Sequence, residues 1–88
     1  MDIQETLAQR QETHGDFKHN AAASQALKRC VEEHIGVTMT DVQIEALHNI
    51  CQKIARIITA NPNHADSWHD IAGYAGLIDK RLTNGTEL

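Results

Sequence analysis

An aliphatic stripe of Ile44, Leu47, Ile50, Cys51, Ile54, Ile57 and Ile58 recurs at steps of three and four residues and stops at Asn61-Pro62-Asn63. That spacing is one face of an α-helix, and its width predicts burial against more than one neighbour. Proline marks the end, because its ring cannot donate the next hydrogen bond and biases the residue before it away from helix. Thr40 with Gln43 three residues on predicts a capping box at the start. No stretch of the 88 residues alternates with the period of a strand, so an all-α fold follows.

Three further helices are expected around this one. Asp2 and Glu5 look like a capping box for a short helix over residues 1–14, with Ile3 and Leu7 as a weak apolar edge and His14-Gly15 as its stop. Asp16 or Asn20 can cap a second helix, whose apolar positions are Phe17, Ala23, Ala26, Leu27, Cys30, Val31 and Ile35, and Gly36 terminates it. Asn63, with Asp66 three residues on, can cap the last helix, which runs through Trp68, Ile71, Ala72, Ala75, Leu77, Ile78 and Leu82 toward Gly85. The expected organisation is a single domain over 1–88, with a main bundle at 17–83 and a frayed tail at 84–88.

A domain this short buries only about 60 to 65% of the surface that its unfolded chain exposes. A thin core makes a homo-oligomer the expectation. Eight Lys and Arg against twelve Asp and Glu give a net charge of −4, which excludes the basic face needed to grip duplex nucleic acid. The apolar runs are broken by charges, so no membrane span is expected. The charged N-terminal stretch has no apolar signal core, and a cytoplasmic protein with Cys30 and Cys51 as reduced core residues is the corresponding expectation.

The chemistry-bearing residues gather in KIARIITANPNHADSWHDIAGYAGLI, from Lys53 to Ile78. Lys53 and Arg56 stand at i, i+3 and can converge on one anion, or simply form a solvated face. Asp66 and Asp70 share a face at i, i+4 and could hold Mg²⁺ through oxygen ligands; equally, Asp66 caps the helix and Asp70 pairs with Lys53 or Arg56. The Tyr74 hydroxyl can meet a phosphate or base, or rest satisfied in the core. Gly73 and Gly76 cost helix stability, which close approach of a neighbouring helix or a ligand would offset. Trp68 reads as a core or oligomer anchor. His14-Gly15-Asp16-Phe17 forms a cap-to-cap turn that also offers backbone N–H groups to an anion. The histidines lack zinc-site spacing, and neither Ser24 nor Ser67 sits in a GxSxG context.

HGDF at the second helix, KIAR on the third and HADSWHDIAGYAGL on the fourth together resemble a family of small bacteriophage proteins catalogued as a domain of unknown function. The likeness spans about residues 13–82. More loosely, the arrangement is similar to the all-helical nucleoside triphosphate pyrophosphohydrolases of the MazG type, which bind magnesium with acidic residues on adjacent helices. The chain departs from their EExxE motif, since Glu32-Glu33 leads to Gly36, and Lys53 and Arg56 stand where the facing helix would carry acids. The resemblance therefore implies a nucleotide or phosphate ligand more strongly than catalysis. The alternative is a non-enzymatic phage protein that sequesters a host nucleotide signal, or docks on a host protein in the host cytoplasm.

Overall fold

The third helix, Asp41–Thr59, organises the molecule, because the two other long helices both pack on it. The computed structural model describes the backbone of residues 2–14 and 16–88 and the side chains of 2–10 and 16–88. The element order is α1 (Ile3–His14), α2 (Phe17–His34), α3 (Asp41–Thr59) and α4 (Ala65–Thr83), and no strand occurs among the described residues. The fold is thus the small all-α bundle that the periodicity predicts.

Local chemistry accounts for the helix ends. The Thr40 hydroxyl accepts from Gln43 N–H at 3.2 Å and the Gln43 side chain accepts from Thr40 N–H at 3.0 Å, a complete capping box. Asp16 caps α2 by accepting from Lys18 N–H, so Asn20 lies within the helix. The expected Asn63 cap of α4 is corrected: His64 holds the N-cap position. Asn63 N–H is instead taken up by the Asn61 side chain at 2.9 Å, an Asx turn that shifts the helix start by one residue. Past α4, Gly85 is left-handed at φ 70, with Thr86 N–H bonded to Arg81 O and Gly85 N–H to Leu82 O. These two bonds close the helix in a Schellman motif.

α3 joins its neighbours in two antiparallel registers. Asn20 donates to Thr59 Oγ1 at 3.4 Å, and Glu32 Oε1 lies 2.9 Å from His48 Nε2, fixing α2 against α3. The latter approach suits an ion pair when the ring is protonated, although it is out of line for a hydrogen bond. On the other side Lys53 meets Asp70, fixing α4. α1 touches α2 only lightly.

The result is an open layer with α3 in the middle. Its fully buried apolar residues are Ala46, Cys51, Ala55 and Ile57, all from α3. The radius of gyration is 15.2 Å, against roughly 12 Å for a compact domain of this length. Several expected core residues are consequently uncovered. Phe17 is 82% exposed, Trp68, Leu77, Leu82 and Ile58 are exposed, and Cys30 is exposed while Cys51 is buried. Periodicity correctly aligned these side chains on helix faces, but α2 and α4 each meet a single long neighbour.

Candidate functional site

Packing α4 antiparallel to α3 aligns a polar row on α3 with a mixed row on α4. On α3, Asp41, Glu45, Asn49, Lys53 and Arg56 follow at steps of four, four, four and three and so share a side of the helix. On α4, Asp66, Asp70, Gly73 and Leu77 do the same. The registers meet where Lys53 Nζ stands 3.1 Å from Asp70 Oδ2, the lysine side chain 15% exposed and the aspartate 44%. This pairing was one of the two arrangements the sequence allowed. Burial of the lysine stem gives its ammonium group few directions in which to extend.

Beyond that pair the hairpin opens into a groove of about 420 Å³ lined by Asp41, Val42, Glu45, Ala46, Asn49, Tyr74 and Leu77. Asn49 donates to Glu45 O at 3.0 Å and to its carboxylate at 3.3 Å, which holds the amide along the groove wall. The groove therefore combines an acidic end, an amide in the middle and a half-buried tyrosine opposite, with the Lys53–Asp70 pair one turn away. Tyr74 belongs to this wall, which distinguishes it from a plain core residue.

The other expected site residues fall as follows. Arg56 is half-buried one turn from Lys53, and the ion pairs among the described residues are Lys53–Asp70 and His48–Glu32, so Arg56 has no carboxylate of its own there. Asp66 is exposed in the first turn of α4. Asp16 is the cap at the N-terminal end of α2, and nothing among the described contacts brings it to the groove. The His14 side chain lies outside the described residues. No group of three or more His, Cys, Asp or Glu that could hold a metal occurs among the described residues.

Two features went unread in the sequence. Asp41, Glu45 and Asn49 line the groove, and their signal was the step of four leading back from Lys53. The turn before α4 is tied twice: Trp68 Nε1–H donates to Pro62 O at 2.9 Å, and the His64 ring meets the Ser67 hydroxyl at 2.8 Å, with Ser67 only 1% exposed. Ser67 is thus a buried strut of the loop, and its hydroxyl is closed to substrate.

The expectation that the helical glycines admit a neighbouring helix is also corrected. A Cβ at Gly73 or Gly76 would meet nothing within 4 Å. Both face open space, since the more deeply covered residues of α4 are Ser67, Tyr74 and Ile78 rather than the two glycines.

No helix among the described residues is long and apolar enough to cross a membrane. No curated protein and no solved structure matches the chain. The family described as Domain of unknown function (DUF6378) matches residues 3–82, which takes in all of α1 and nearly all of α4. With that match spanning almost the whole sequence, the chain belongs to the DUF6378 family.

Proposed function

We propose that this is a small phage-type helical protein that binds a nucleotide or another phosphate-bearing ligand along the α3/α4 groove. The carrying observation is the half-buried Arg56, which has no carboxylate partner among the described residues and stands on the same side of α3 as the groove wall. A guanidinium in that setting suits a phosphate, whose oxygens match its fork of donors. In this reading Arg56 and Lys53 take the phosphates. Tyr74 and Leu77 pack the base, and the Asn49 amide oxygen and the Glu45 carboxylate offer acceptors to its edge.

The described residues do not make a resident Mg²⁺ cage, since Asp70 already serves Lys53 and no third ligand among them joins Asp66. Mg²⁺ would arrive on the phosphates, with Asp66 and Asp70 supplying at most two oxygen ligands. That arrangement favours binding over turnover. It supports sequestration of a nucleotide by a non-enzymatic protein as the second reading.

Phosphorus NMR with a panel of nucleoside mono-, di- and triphosphates, with and without Mg²⁺, tests the proposal. Binding should shift or broaden the phosphate resonances of at least one member, and Arg56→Ala should weaken that binding about 10-fold or more. New phosphate or pyrophosphate peaks would make the chain a hydrolase. Unshifted spectra across the panel at millimolar protein would remove the nucleotide reading.

A further inference from the structure

The hairpin of α3 and α4 has two sides, and the groove occupies the one that carries Asp41, Glu45 and Asn49. The opposite side is apolar. There Trp68, Ile71, Ala75, Ile78 and Leu82 recur on α4 at steps of three and four, the spacing of a helix seam that meets another helix. Ile71 and Ile78 are half-buried at the edge of the α3 contact, whereas Ala75 is exposed, Trp68 is 54% exposed and Leu82 58%. On α3 the same side carries Leu47 and Ile54, both half-buried, and Ile58, 65% exposed. The α4 row is flanked by a charged residue, Asp79, which stands four residues after Ala75.

The surface area indicates how much of the molecule lacks cover. The chain exposes 6453 Å² at a mass of 9.8 kDa, whereas a compact monomer of that mass exposes roughly 5,200 Å². The excess is roughly 1,300 Å², to which the lightly packed α1 contributes. A stable interface takes about 800 Å² from each partner and an obligate homodimer about 1,000 Å² or more. The part of the excess that α1 does not supply is of the size one interface on the apolar side would cover.

The order of residues in the seam names the occupant. Reversed about Ala75, the stripe sets Trp68 opposite Leu82 and brings Ile71 within one residue of Ile78, with Asp79 at the edge of the pairing, so the stripe approximately matches itself in an antiparallel arrangement. A two-fold axis requires this self-complementarity, because the same patch must serve both partners. Alanine at the centre lets the two backbones approach, and the tryptophans fill the wider ends. We infer that the chain forms a two-fold dimer in which α4 packs antiparallel to α4 of a second copy, centred on Ala75, with the two α3 helices completing a four-helix core. The grooves lined by Asp41, Glu45 and Asn49 then face outward on both copies. This inference stands independently of any ligand in the groove.

Sedimentation equilibrium of the full chain at micromolar concentration tests it, alongside Ala75→Arg in the seam and His69→Arg, an exposed position on the far side of α4. The parent and His69→Arg should sediment at twice the 9.8 kDa chain mass, and Ala75→Arg at the chain mass with its helical circular dichroism retained. Arginine suits an exposed helix position, so the substitution leaves the single chain folded. A second arm replaces Ala75 by cysteine in a Cys30→Ser background and adds a mild oxidant. Two thiols facing across the axis should give a covalent dimer in high yield. A monomeric parent overturns the inference, as does a dimer that survives Ala75→Arg or fails to cross-link through position 75.

Discussion

The Lys53 side chain is 15% exposed and its partner Asp70 is 44% exposed, so water screens the pair from the carboxylate end. A pair in that position contributes at most about 1 kcal/mol. Ala55 has no exposed surface and sits between α3 and its neighbours, where extra methylenes cost about 1–3 kcal/mol. Urea unfolding should therefore find Ala55→Leu more damaging than Asp70→Asn. The opposite order would make the ion pair a structural lock and weaken the case for a ligand beside it. Cys51 supplies a pH dependence. Burial raises its thiol above the ordinary value of 9.0, and the charge of Lys28 partly opposes the shift. The unfolded thiol then loses its proton first as pH rises, so the unfolded state binds fewer protons than the native one. Stability should accordingly be fully present below the ordinary value and fall as pH climbs from there through the raised native value. Urea midpoints followed into alkali should decline less for Cys51→Ala than for the parent. An equal decline would place the alkaline sensitivity in other groups. The sequence set both cysteines at apolar helix positions, yet only Cys51 is covered. Spacing reports which residues share a face, and the number of neighbouring helices decides whether that face meets anything.

α3 was the most legible element, because its aliphatic stripe and the Thr40–Gln43 capping box agree about both its extent and its burial. α4 was less so. Its start depended on a competition between Asn63 as a cap and Asn61 as an Asx-turn former, and the turn takes the Asn63 N–H. Its glycines posed a second ambiguity, since a residue that costs helix stability does not itself reveal what compensates. With open space at both positions, Gly73→Ala and Gly76→Ala should each stabilise the chain by about 0.5–1 kcal/mol through helix propensity and a less flexible unfolded state. Thermal melts at fixed protein concentration would register this as a rise of several degrees, about 4–8 °C per kcal/mol for a domain of this size. A fall in Tm at Gly73 would mean that something approaches that face which the single chain does not contain. Gly73 shares its side of α4 with Asp66 and Asp70, whereas Gly76 is turned further from the groove. A ligand on the polar side would therefore separate the two variants, with binding weakened at position 73 and unchanged at 76.

At the scale of the molecule, the low burial and the 15.2 Å radius of gyration describe a chain whose core is one helix thick. Short length and a thin core pointed toward association from the sequence, but the surface that would associate was not legible. The stripe on α4 merged with its packing stripe until the side bound to α3 was known. If the proposed α4 pairing supplies the missing cover, unfolding and dissociation are one event and stability depends on concentration. Each tenfold rise in protein concentration then adds about 1.4 kcal/mol per dimer. Two chains of 88 residues carry an unfolding entropy near 0.37 kcal/mol/K on the usual per-residue scale, so Tm should climb by about 4 °C per tenfold. Melts across a hundredfold range should span about 8 °C for the parent, while Ala75→Arg should melt lower and at one temperature throughout. A parent Tm that ignores concentration would mean that the open layer is stable alone, and that its apolar side is tolerated in water without a second copy.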